Sequence, residues 1–146
     1  MMANTLYTAR ARVTGGRMNG HGRTSGGSLE VDLRLPEELG GKEEGTNPEE
    51  LFAIGYAACF EGALGTVARR AKQETGDVSI DSRVMLQAAE DRVFTIGVEL
   101  DVSLPSIDDP DEAVELVRAA HRVCPYSNAT RGNIEVALTA NGRAVD

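Results

Sequence analysis

NPEELFAIGYAACFEGALGTVARRAKQ, residues 47–73, is the stretch on which the fold turns. Asn47 is of the type that caps helix N-termini, Pro48 suits the first helical position, and Glu49 and Glu50 suit the positive end of the helix dipole. Arg69, Arg70 and Lys72 gather at the other end. The spacing predicts one long helix reaching about residue 73. Its middle is apolar almost all round: Phe52, Ile54, Tyr56, Ala57, Ala58, Phe60, Ala63 and Leu64. A helix apolar on every face asks to be covered on every face. One small sheet covers only one side, so a second copy of the chain is expected on another, as a homodimer.

Working outward, residues 28–35 (SLEVDLRL) alternate Leu29, Val31, Leu33 and Leu35 in the period of a half-buried strand, closed by Pro36. Residues 4–14 (NTLYTARARVT) read as a strand, and GGRMNGHGRTSGG after them suits turns and a short strand. The polar segment 37–46 is a loop. Beyond the long helix, 77–89 and 92–104 read as two strands of a hairpin turning at Glu90–Asp91. Asp108 or Asp109 with Pro110 opens a second helix, which carries Ala113, Val114, Leu116, Val117 and Ala120 at helical spacing. Pro125 ends it, because the residue before proline is pushed out of the α region. Residues 133–140 make a last strand. The order β-β-α-β-β-α-β is an α+β pattern in a single domain, 1–146.

The chain has 146 residues and a formal net charge of −8, which gives no electrostatic drive towards nucleic acid or an anionic membrane surface. The N-terminus lacks the apolar core of a secretory signal, and no run approaches the ~18 apolar residues of a membrane span. A cytoplasmic location is expected. His21 and His121 lack metal-ligand spacing, so no metal site is expected. The glycine-rich stretch lacks the G-K-[ST] ending of a phosphate loop. No cofactor is implied.

Two cysteines remain, Cys59 within the apolar helix and Cys124 at the end of the second. Free cysteine often serves as a small buried hydrophobe, and in a reducing compartment a pair can equally be catalytic. Composition leaves both readings open.

Their surroundings favour the second. GGR at 15–17, TNPEELFAIGYAACFEGAL at 46–64 and HRVCPYSNATRGNIEV at 121–136, with the β-rich framework between, resemble the organic hydroperoxide resistance (Ohr) branch of the OsmC/Ohr thiol peroxidases. The resemblance implies antiparallel-rich sheets packed on a long central helix in an intertwined homodimer. It implies that Cys59 attacks the peroxide and Cys124 resolves the product as a disulfide. It also implies that Arg17 holds the reactive thiol ionised, that Glu49 pairs with Arg17, and that a lipoyl dithiol on a partner protein resets the enzyme.

Physical chemistry agrees with those roles. The thiolate attacks peroxide oxygen, yet burial disfavours the anion, so a cation is needed beside Cys59. Arginine stays charged, and a carboxylate can anchor its fork of donors. Glu49 and Cys59 stand ten residues apart on one helix, a rise of ~15 Å. Either Arg17 spans that gap or it serves the Cys59 of a second chain; the expectation is an active site at a dimer interface. Met18, Phe52, Tyr56 and Phe60 are candidates to line a pocket for an alkyl chain, favouring organic hydroperoxides over hydrogen peroxide. The competing readings are an OsmC-like peroxidase of broader specificity, and a redox sensor or carrier of apolar ligands that does not turn over.

Overall fold

The computed structural model describes residues 3–146 and divides the chain into two compact units, one running through Leu51 and the other from Phe52 to Asp146.

The first unit is a three-stranded antiparallel sheet in the order β1 (Ala11–Thr14), β2 (Asn19–Thr24) and β3 (Glu30–Arg34). Leu33 is its buried apolar anchor. The expected strand at 4–14 is formed only from Ala11, where pairing with Thr24 begins. The chain turns after Thr24, so residues 4–10 have no β2 partner, and Leu6 and Tyr7 stand exposed. Residues 37–46 are a loop with one 3-10 turn, Glu37–Leu39, ending on Gly40. The loop returns to β3, where the Thr46 N–H donates to Asp32 O and Thr46 O accepts from the Arg34 N–H, both at 2.9 Å. This anchor fixes where the next residues, Asn47 to Glu49, begin the long helix.

That helix, α1, spans Pro48–Arg70, and the boundary between the units falls in its first turn. Asn47 caps it as expected, its side-chain oxygen accepting from the Glu50 N–H at 2.9 Å. It stops three residues before the expected end, at a turn where Lys72 takes a positive φ.

In the second unit the strands run β4 (Ser79–Ala88), β5 (Phe94–Ser103), β6 (Val136–Ala140) and β7 (Arg143–Val145), in that order across one sheet. β4 and β5 form the expected hairpin, while β5 and β6 are parallel. Parallel neighbours need a crossover, which α2 (Pro110–Val123) and α3 (Pro125–Thr130) supply. Asp109 caps α2, accepting from the Asp111 N–H at 2.9 Å. Pro125 ends α2 and also opens α3, a short helix absent from the sequence reading; β7 is a second addition. The core joins Tyr56, Phe60 and Leu64 of α1 to Val98, Leu100 and Val102 of β5 and to Ala113, Val117 and Ala120 of α2. Strand period on β5 and helical period on α1 and α2 thus meet in one apolar layer.

Not all of α1 is buried: Ile54 is 70% exposed, and Ala58, Glu61 and Gly62 are exposed as well. By length and mean hydropathy (1.5 over an 18-residue window) α1 is long and apolar enough to cross a membrane. Its buried residues lie in a mixed α/β core and its Tyr56 hydroxyl is hydrogen-bonded there, which is the situation of a core helix.

Leu100 has no exposed surface, whereas Leu86 is 38% exposed. Leu100→Ala should lower unfolding free energy by about 3 kcal/mol and Leu86→Ala by under about 1 kcal/mol, read as urea midpoints.

Candidate active site

The two cysteines meet. Cys59 is half-buried on α1 and Cys124 is fully buried; both are free thiols, with sulfurs 3.7 Å apart and Cys124 placed to donate. A disulfide bond is about 2.05 Å long, so the two sulfurs are in contact but not bonded. Cys124 is both the C-cap of α2 and the N-cap of α3. It therefore sits at a corner between two helices, and Pro125 fixes that corner. Burial pushes the Cys59 thiol above its ordinary value; a hydrogen bond to the Tyr126 backbone works in the opposite direction, and the neighbouring Cys124 thiol adds to the rise.

Aromatic rings floor this region. Phe52 and Tyr56 meet edge-to-face with centroids 5.9 Å apart, and Tyr126 packs on both at 5.7 and 5.6 Å. Gly55 makes room for it, since a Cβ there would stand 3.0 Å from the Tyr126 hydroxyl oxygen.

A polar node is buried beside the sulfurs. The Tyr56 hydroxyl lies 2.8 Å from Ser127 Oγ and 3.1 Å from Thr130 Oγ1. Ser127 Oγ is 2.8 Å from His121 Nδ1, and the Thr130 hydroxyl donates to Ser127 O at 3.2 Å. Burial and the nearby Arg131 guanidinium hold His121 below the usual imidazole range. The sequence reading missed this node. A signal is present, because CPYSNAT places three polar side chains in the six residues after Cys124.

In the first unit, Arg17 occupies the turn between β1 and β2. Gly15 makes that turn possible, with φ +78° and a position where a Cβ would fall 2.2 Å from Asn19 O. Arg17 Nη1 donates to Glu49 Oε2 at 3.2 Å, and Nη2 lies 3.0 Å from Oε1. Glu49 is the more enclosed partner, with 16% of its side chain exposed against 38% for Arg17. The pair named from the sequence is thus formed, and the guanidinium keeps an accessible face.

Of the four pocket candidates, Tyr56 and Phe60 are completely enclosed in the core and offer no surface to a ligand, because they lie on the side of α1 that packs on β5 and α2. Phe52 is half-buried and Met18 is 66% exposed. Among the described residues, no group of His, Cys, Asp or Glu side chains is arranged to hold a metal ion.

The second unit thus holds two thiols in contact, and the first unit an arginine–glutamate pair on a glycine-rich turn. Residues 40–139 match the family model described as OsmC-like protein. The organic hydroperoxide resistance protein of Xanthomonas axonopodis pv. citri is 52% identical over 136 residues, covering 92% of this chain and 94% of its own. The crystal structure of an organic hydroperoxide resistance protein from Legionella pneumophila superposes with a TM-score of 0.88 at 49% identity, covering 93% of this chain and 98% of its own. One from Vibrio cholerae, provisionally described as the same kind of protein and with captopril in one of its active sites, reaches 0.92 at 40% identity, covering 97% and 96%. The chain belongs to the OsmC family, in its organic hydroperoxide resistance branch.

Because Arg17 is more than a third exposed, its pair with Glu49 should contribute little to stability. Glu49→Gln is expected to shift unfolding free energy by under about 1 kcal/mol in a urea titration. A loss several times larger would make the pair a structural staple.

Proposed function

We propose that the protein is a cysteine-based peroxidase that reduces organic hydroperoxides, alkyl and fatty-acid ones included, to alcohols. The observation that carries this reading is the 3.7 Å contact between the sulfurs of Cys59 and Cys124, in a chain whose relatives are named for organic hydroperoxide resistance.

In the first step the Cys59 thiolate attacks the peroxide. The O–O bond breaks, one oxygen stays on sulfur as sulfenic acid, and the other leaves as alkoxide and takes up a proton to become alcohol. In the second, the Cys124 thiol condenses with that sulfenic acid; an S–S bond forms and water leaves. In the third, a dithiol of the lipoyl type, carried by a partner protein, takes the oxidising equivalents by thiol–disulfide exchange and restores both thiols. No cofactor enters the cycle.

The first step needs an anion that the burial around Cys59 opposes. Arg17 is the proposed counter-charge, held by Glu49 and free to offer donors to the thiolate and to the departing alkoxide. It acts on Cys59 of its own chain or of a partner, and we favour the partner. Support for a homodimer comes from α1, whose open side exposes Ile54 and Ala58 on a helix otherwise made for burial. The two units then work as one OsmC-type domain, in the cytoplasm. The accessible apolar residues Phe52 and Met18 are proposed to receive the substrate's alkyl chain.

One equivalent of cumene hydroperoxide should remove the mass of two hydrogens from the wild-type chain, and dihydrolipoamide should restore it. Cys59→Ser should consume no peroxide. Cys124→Ser should stop at one equivalent, with the sulfenic acid open to trapping. Cumene hydroperoxide should be turned over more efficiently than hydrogen peroxide. A wild type that consumes a single equivalent and cannot be reset would instead be a sensor or carrier, and equal efficiencies with both peroxides would remove the apolar pocket.

A further inference from the structure

Tyr56 precedes Cys59 by three residues on α1, and Ser127 follows Cys124 by three residues across the start of α3. Three residues are close to one helical turn, so each hydroxyl lies near the same side of its segment as the neighbouring sulfur. Two rungs therefore join α1 to the 124–130 segment, the sulfur pair at 3.7 Å and the hydroxyl pair at 2.8 Å.

The rungs differ in strength. Two unbonded sulfurs attract only by dispersion and a weak S–H contact. The hydroxyl rung is buried completely, with Tyr56 and Ser127 both at 0% exposure, and breaking it would strand polar groups in the core. It also extends further. One direction of donation uses every contact in the node: His121 Nδ1–H to Ser127 Oγ, the Ser127 hydroxyl to Tyr56, the Tyr56 hydroxyl to Thr130 Oγ1, and the Thr130 hydroxyl to Ser127 O. Each hydroxyl then donates once and accepts once, the pattern in which neighbouring hydrogen bonds strengthen one another. The node ties α1, α2 and α3 together at one point.

This matters most when Cys59 is a sulfenic acid. The Cys59 sulfur is then electron-poor and a poorer acceptor, so the weak S–H contact no longer holds the second thiol in place. A second peroxide can meanwhile drive Cys59 to sulfinic acid, which the cycle cannot reverse. We propose that Tyr56, Ser127 and Thr130, with His121 at the end of the chain, are positioning residues for the second step: their buried hydrogen bonds hold Cys124 over Cys59 while the sulfenic acid waits. The inference rests on the two-cysteine reading above. It adds that speed in disulfide formation, and protection from over-oxidation, come from hydroxyls that touch neither sulfur.

Ser127→Ala and the isosteric Thr130→Val test it, each compared with wild type by stopped-flow peroxide consumption, quenched intact-mass analysis and a melting curve. Sulfenic acid formation in the first turnover should keep its wild-type rate, while disulfide formation slows at least tenfold in Ser127→Ala and several-fold in Thr130→Val. Sulfinic acid should accumulate at peroxide concentrations the wild type survives. Folded variants that form the disulfide at the wild-type rate would overturn the inference, as would variants in which both steps slow by the same factor. Should Ser127→Ala not fold, His121→Leu, at the half-buried end of the chain, reads the same step, and an unchanged disulfide rate there counts equally against the proposal. If the wild type forms no disulfide at all, the two-cysteine cycle fails first, and the mass spectrum distinguishes that outcome.

Discussion

Two hydroxyl groups buried against each other between α1 and α3 set the geometry on which the second unit depends. A tyrosine hydroxyl and a serine hydroxyl with no access to water must find each other or leave unpaired polar atoms inside the core. Satisfying them fixes the depth and rotation of the 124–130 segment on α1, and this brings the Cys124 sulfur onto Cys59. The apolar core supplies the bulk of the folding energy but is forgiving about register. Directional hydrogen bonds are not, and a disulfide tolerates little error in the approach of its two sulfurs.

Charge is arranged by a separate device. Around Cys59 partial burial opposes ionisation. The Arg17–Glu49 pair belongs to the other unit, where a glycine-dependent turn presents the arginine and the first turn of α1 presents the glutamate. An arginine gripped on one side by a carboxylate loses much of its side-chain freedom while keeping donors to spare, which is the preparation an anion site needs.

The sequence carried the elements whose signals are local. Asn47 and Pro48 announced the start of α1, alternation gave β3, and Asp109 with Pro110 opened α2. The site residues were legible because GGR, GYAACF and CPYSNATRGN are specific strings; spacing alone would have left each cysteine between core filler and nucleophile. What escaped depended on non-local facts. Residues 4–10 have strand-like composition, but among the described residues they belong to no strand, Arg10 alone being tied by its carbonyl to Ser25. α3 was not foreseen because Pro125 is both a stop for one helix and a good first residue for the next. Tyr56 and Phe60 were candidates for a pocket wall because periodicity cannot say which side of an all-apolar helix faces the sheet. CPYSNAT shows the polar side chains of the node but not their partner, because Tyr56 stands more than seventy positions away.

The claim that most needs direct measurement is that Cys59, buried and opposed to ionisation by its own surroundings, is nevertheless held as a thiolate by Arg17. Thiolate absorbance of the reduced protein in the Cys124→Ser background, followed against pH with and without Arg17→Gln, reads that single group. The account predicts a Cys59 thiol that ionises well below its ordinary range when Arg17 is present and only well above neutrality once it is removed. Titration curves that coincide in the two proteins would contradict it.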